Sequence, residues 1–108
     1  MANSIHEFDD DKRNANILIY INGELKLRNE AMVSVFDSGF VLGDGVWEGM
    51  RIHDGHPAFM DQHLDRLYEG AKAIAMNIGL DRDALTHAIY QTLAANDMKD
   101  GAHMRLMV

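Results

Sequence analysis

The sequence predicts an α+β domain in which an antiparallel sheet built from hairpins packs against two helices. Three observations lead there. Strand-like runs come in pairs joined by Asn22-Gly23 and by Asp54-Gly55, both dipeptides that favour tight hairpins. Apolar residues then recur at helical spacing twice in succession, after Asp61 and after Asp81. Strands and helices do not alternate, which argues against a doubly wound parallel sheet.

In chain order, Ile17 to Ile21 is an apolar, β-rich run, and the Asn22-Gly23 turn returns it as Glu24 to Arg28. Met32 to Phe36 is expected to be another short extended piece, closed by the turn residues Asp37-Ser38-Gly39. Val46 to His53 is expected to be a strand with two unlike faces. Val46, Glu48, Met50 and Ile52 lie on one side, and Trp47, Gly49, Arg51 and His53 on the other. A glycine between an aromatic and an arginine leaves space beside both, which suits a pocket wall. An ordinary strand weakened by a glycine fits the same pattern. His56 to Phe59 is the expected return strand.

Asp61 can cap a first helix whose buried stripe is Leu64, Leu67, Tyr68, Ala71, Ile74 and Ala75. Asn77 and Gly79 suit its end. Asp81 can cap a second, with Ala84, Leu85, Ala88, Ile89, Thr92 and Leu93 on one face and an end near Asn96. After a connector at Asp97 to Gly101, Ala102 to Val108 alternates again and places His103, Arg105 and Met107 on one side.

Composition narrows the function. A chain of 108 residues is one domain by length, and 47% hydrophobic residues exclude a disordered one. The net charge of −7, with no basic cluster, disfavours nucleic acid as a partner. There are no cysteines, so disulfides, zinc thiolates and thiol catalysis are out and secretion has no support. No apolar run approaches the ~20 residues of a membrane span. Residues 1–16 read as a flexible, solvated arm without a signal-peptide core, and 17–108 as the domain. A cytoplasmic location is the expectation. Met104-Arg105-Leu106-Met107-Val108 has no polar tail after it, so the chain is expected to stop partway through a larger structure.

Gly43-x-Gly45 does not make a dinucleotide-binding loop. Glu48 stands where the third glycine belongs, and a strand follows instead of the helix that would hold a pyrophosphate. His56, Asp61 and His63 have no metal-ligand spacing, and no metal site is expected. The eight methionines are scattered and read as core filler. Arg66 stands between Leu64 and Leu67 at the edge of the apolar seam, where a guanidinium needs an anion. A phosphate or an internal carboxylate would serve. Arg105, amid apolar neighbours, is either an edge-strand charge or an anion anchor.

The stretch Val33 to Arg51, VSVFDSGFVLGDGVWEGMR, resembles the N-terminal signature of the fold-type IV pyridoxal-phosphate enzymes. These include branched-chain aminotransferases, D-amino acid aminotransferases and aminodeoxychorismate lyases. His63 to Lys72, HLDRLYEGAK, and the opening Ile19 to Glu24, IYINGE, continue the resemblance, which spans about positions 17 to 108. Trp-Glu-Gly-Met-Arg is closest to the branched-chain type. The domain would then be the small N-terminal domain of a two-domain aminotransferase.

The resemblance implies roles for single residues. Arg66 would hold the phosphate of pyridoxal 5′-phosphate. Trp47, Gly49 and Arg51 would line the substrate pocket, and Arg105 would meet a substrate carboxylate. His103 falls where such enzymes often carry a tyrosine, and Trp47 replaces their commoner phenylalanine or tyrosine. Substrates would be an amino acid, branched-chain or otherwise apolar, and a 2-oxo acid, and the parent protein would be a homodimer. The lysine that forms a Schiff base with the cofactor would lie downstream. Lys12, Lys26, Lys72 and Lys99 match no such motif, so no catalytic residue is expected within this chain. A lyase, a D-amino acid aminotransferase relative and a non-catalytic binding or dimerisation module are the alternatives.

Overall fold

The structure, a computed structural model, describes residues 11–108. The part of the expected arm before Asp11 lies outside these residues. Residues 11–16 do not behave as a free arm. A 3-10 turn at Lys12–Asn14 is docked by Arg13, whose guanidinium donates to the carbonyls of Asp100 (3.0 Å) and Gly101 (2.7 Å).

Strands β1 (Leu18–Ile21) and β2 (Glu24–Leu27) form a separate antiparallel hairpin with Leu18 opposite Leu27 and Ile21 opposite Glu24. Asn22 and Gly23 both have positive φ, 50° and 89°, as a type I′ turn requires. Leu18 is clipped to the second long helix, because its N–H donates to Asn96 Oδ1 (2.7 Å) and its carbonyl accepts from Asn96 Nδ2 (2.9 Å).

Met32 to Phe36 is not extended strand but irregular chain. Its apolar residues are adjacent instead of alternating, and no strand among the described residues pairs with them. Asp37-Ser38-Gly39 opens a short helix, α1 (Ser38–Val41), where Asp37 accepts from the Gly39 N–H (2.8 Å).

The main sheet has the order β4-β3-β5, all antiparallel. Central strand β3 (Trp47–His53) pairs with β5 (Ala102–Met107) over its length, Trp47 facing Met107 and Ile52 facing Ala102. Strand β4 is only His56–Pro57, shorter than expected. Pro57 has no N–H to give a ladder, and Phe59 turns left-handed (φ 55°) into the next helix.

Helix α2 (Met60–Ala73) therefore takes Phe59 as its N-cap, without a side-chain hydrogen bond. Asp61 sits within the first turn, where it meets the positive end of the helix dipole instead of capping it. The helix ends earlier than Asn77 and Gly79 suggest. Ala75 (φ 56°) and Met76 close it, donating to Lys72 O (3.1 Å) and Ala71 O (2.8 Å) in a Schellman arrangement. Helix α3 (Arg82–Ala95) starts as expected, with Asp81 accepting from the Ala84 N–H (2.7 Å), and closes the same way at Asp97 and Met98. One layer of helices thus covers one face of the sheet. Met50 and Ile52 of β3, Leu64 and Leu67 of α2, and Leu85, Ile89 and Leu93 of α3 form the core between them.

Candidate functional site

Alternation along β3 is obeyed residue by residue. Glu48, Met50 and Ile52 are buried under the helices, while Trp47, Arg51 and His53 are exposed on the opposite face and Gly49 is half-buried there. On β5 the exposed residues are His103, Arg105 and Met107. Five residues singled out in the sequence, Trp47, Gly49, Arg51, His103 and Arg105, therefore share one uncovered sheet face.

Their arrangement follows from register. Arg105 lies directly opposite Gly49, which offers no side chain, so it reaches diagonally and stacks its guanidinium 4.5 Å from the centre of the Trp47 ring. His103 lies opposite Arg51 and leans over the same glycine. A Cβ at position 49 would stand 2.8 Å from His103 Nε2, so the imidazole occupies the space that a side chain there would need. Among the described residues, neither Arg51 nor Arg105 has a carboxylate partner. The face thus offers two uncompensated cations beside an indole, with Trp47 59% exposed. It is an open wall, and two surface hollows lie elsewhere, one along Tyr68, Lys72 and Ile78, the other along Ala15 and Arg28.

Arg66 is on the other side of β3. Its Nε donates to Glu48 Oε1 (2.5 Å) and its Nη2 to Glu48 Oε2 (2.6 Å), a fork-to-carboxylate pair. His63, one helical turn earlier, also meets Glu48 Oε2 (2.9 Å). Glu48 is 1% exposed, whereas the Arg66 side chain is 75% exposed. The Arg66 guanidinium, then burial acting in opposition, then His63, set the Glu48 carboxyl, and the net result is a pKa lowered to about 2. Arg66 is raised in turn by the same hydrogen bonds. The structure therefore does not bring Arg66 and Trp47 into one cavity within this chain, since the sheet separates them.

Sequence reasoning passed over Glu48, the partner of Arg66, and His63, which meets the same carboxylate. A signal existed, because Glu48 is the one charge on a strand face otherwise made of Val46, Met50 and Ile52. Such a charge requires a counter-ion from whatever covers it. His56, Asp61 and His63 are not brought together. His56 bonds the Tyr90 hydroxyl (2.9 Å), and Asp61 meets Arg82 (3.4 Å). Among the described residues, the one grouping with metal-ligand types is His53, Asp54 and Asp100, exposed and engaged with one another. Lys12, Lys26, Lys72 and Lys99 lie on the 3-10 turn, β2, the last turn of α2 and the connector before β5. Among the described residues, no helix is long and apolar enough to cross a membrane.

The site is thus an open sheet face backed by two helices, with an aromatic ring and two arginines that have no carboxylate partner among the described residues. Comparison with known proteins gives it a family. The fold superposes on a branched-chain aminotransferase from Thermoproteus uzoniensis, solved with norvaline, with a TM-score of 0.72 and 25% identity over 85% of this chain and 32% of that one. The branched-chain-amino-acid aminotransferase-like protein 2 of Arabidopsis thaliana is 45% identical over 93 residues, 86% of this chain. A putative branched-chain-amino-acid aminotransferase of Methanocaldococcus jannaschii is 41% identical over 90 residues, 83% of this chain. Residues 45–108, more than half the chain, match the model of the amino-transferase class IV family, and the chain belongs to that family. It spans 17% and 31% of the lengths of those two relatives.

Proposed function

We propose that this chain is the small N-terminal domain of a longer pyridoxal-phosphate-dependent aminotransferase, which moves an amino group between a branched-chain or other apolar amino acid and a 2-oxo acid. The observation that carries the reading is the open face where Arg105, with no carboxylate partner among the described residues, lies over the Trp47 ring beside Gly49. In this reading Arg105 binds the substrate carboxylate, Trp47 and Gly49 contact its apolar side chain, and Arg51 and His103 close the polar end.

Arg66 fits the cofactor's phosphate. Glu48 occupies its Nε and one Nη2 donor, and the solvent-facing remainder of a guanidinium has donors left for an anion. Pyridoxal phosphate, when bound, serves as an electron sink that makes the amino acid Cα proton removable. Arg66 would fix its phosphate end, and the Trp47 face would orient the amino acid and help exclude water. The reading assigns the lysine that anchors the cofactor, and the remaining phosphate donors, to a part of the protein outside this chain. Phe36, Phe40 and Leu42, 88%, 72% and 71% exposed, are a surface that a homodimer of the whole protein would cover. The acidic, cysteine-free chain suits the cytoplasm.

Two measurements test this. The 108-residue chain, incubated with pyridoxal phosphate and reduced with borohydride, should carry no stoichiometric adduct on Lys12, Lys26, Lys72 or Lys99. An adduct would place the anchoring lysine here and refute the assignment. The complete protein should transaminate L-leucine and L-valine with a 2-oxo acid faster than D-alanine. Preference for D-alanine, or cleavage of aminodeoxychorismate, would move it to those alternatives, and inactivity on all three would make it a binding module.

A further inference from the structure

We propose that Trp47 is the positioning residue for Arg105, holding an otherwise unpartnered guanidinium flat so that its in-plane donors face a carboxylate. This rests on the reading of the open face as a substrate wall and adds a role that the wall itself does not specify.

An arginine on an exposed edge strand ordinarily samples many rotamers, and ordering it costs free energy whenever it binds a ligand. Two features remove that freedom here. Gly49, directly opposite, sets no side chain of its own against Arg105, and His103 fills the space above it. The Trp47 ring then receives the guanidinium 4.5 Å from its centre. Stacking uses the face of the guanidinium, whereas its N–H donors lie in the plane. A guanidinium held by its face keeps its in-plane donors, and among the described residues Arg105 spends none of them, unlike Arg66, whose fork is engaged by Glu48. No acidic residue among those described pairs with Arg105, so none of them competes for those donors. The contact needs the aromatic at 47 and the arginine at 105 together.

The test is carboxylate binding by the complete protein. Calorimetric titration with 4-methyl-2-oxopentanoate should show Trp47→Leu binding about fivefold more weakly, the scale of an exposed cation–π contact, with Trp47→Phe within about twofold of the parent. The corresponding amine, which shares the apolar contact with Trp47 but has no carboxylate for Arg105, should lose clearly less on Trp47→Leu than the oxo acid does. In an Arg105→Gln background, Trp47→Leu should cost the oxo acid no more than it costs the amine, because the part that acts through Arg105 is already gone. Equal oxo-acid binding by parent and Trp47→Leu, or a full additional loss in the Arg105→Gln background, would overturn the proposal. Because binding is read separately from turnover, a protein that binds the oxo acid but transfers no amino group would sink the aminotransferase reading and leave this one standing. Trp47 is 59% exposed, and an unchanged melting temperature would exclude misfolding as the cause.

Discussion

Glu48 and Arg66 form an unequal pair in which the carboxylate is 1% exposed and the guanidinium side chain 75% exposed, joined by hydrogen bonds of 2.5 and 2.6 Å. The two ends of the bond should therefore respond differently to mutation. Removing Arg66 leaves a buried charge with only His63 beside it, whereas removing Glu48 leaves a cation already in water. Glu48→Met, which fills the space with an apolar chain, should change stability by no more than about 1 kcal/mol. Arg66→Met should lower the urea midpoint clearly more. Equal losses for the two variants would show that the pair is not one-sided.

The same pair sets a pH dependence. The folded-state pKa of Glu48 is about 2 against an ordinary 4.5, so the unfolded chain binds this proton more readily than the folded one. Its contribution is complete above the unfolded value and is lost as the pH falls from 4.5 toward about 2. A shift of this size corresponds to at most about 3 kcal/mol. Urea titrations at stepped pH should show the parent losing stability across that window more steeply than Glu48→Gln. Parallel profiles would dismiss the pair as the acid-sensitive element.

How much of this was readable in advance depended on distance along the chain. The faces of β3 were legible because period-two alternation is a local property, and every residue from Trp47 to His53 sits on its expected side. Asp81 was legible for the same reason, since a cap acts on a backbone three residues away. The Glu48–Arg66 bond joins residues 18 apart, and several carboxylates could have answered Arg66 equally well. Met32 to Phe36 misled because its β-forming residues have no partner strand, and β-propensity is realised only through pairing. The site was half legible in the same sense. Its sheet face was visible, but the placement of Arg66 behind that face required the packing of α2.

Ala75 carries a left-handed conformation (φ 56°) at the close of α2, where glycine is usual. Its side chain is exposed, so nothing is lost with the methyl group. Ala75→Gly should stabilise the domain by about 1 kcal/mol, the cost that an L-residue bears in that region. A thermal melt reads this as a rise of several degrees, roughly 4–8 °C for a domain of this size. A fall would mean that backbone entropy outweighs the strain.

Gly49→Ala should separate shape from stability. The new methyl group would stand 2.8 Å from His103 Nε2, but that ring is exposed and free to swing away. Relief of the strand's glycine penalty, about 0.5–1 kcal/mol, offsets the displacement, so the melting temperature should move by less than about 4 °C. The His103 imidazole resonances should nevertheless shift. A large drop in melting temperature would show that the imidazole is wedged in place.

The alternation of β3 constrains how this domain can change over evolutionary time. Single replacements on either face leave the other untouched, so ligand preference can drift while the interior stays constant. Inserting or deleting one residue within the strand is another matter, because every side chain beyond it changes sides. Glu48 would be turned out to water and the indole of Trp47 driven beneath the helices. Diversification at this position should therefore proceed by exchange of residues at constant length.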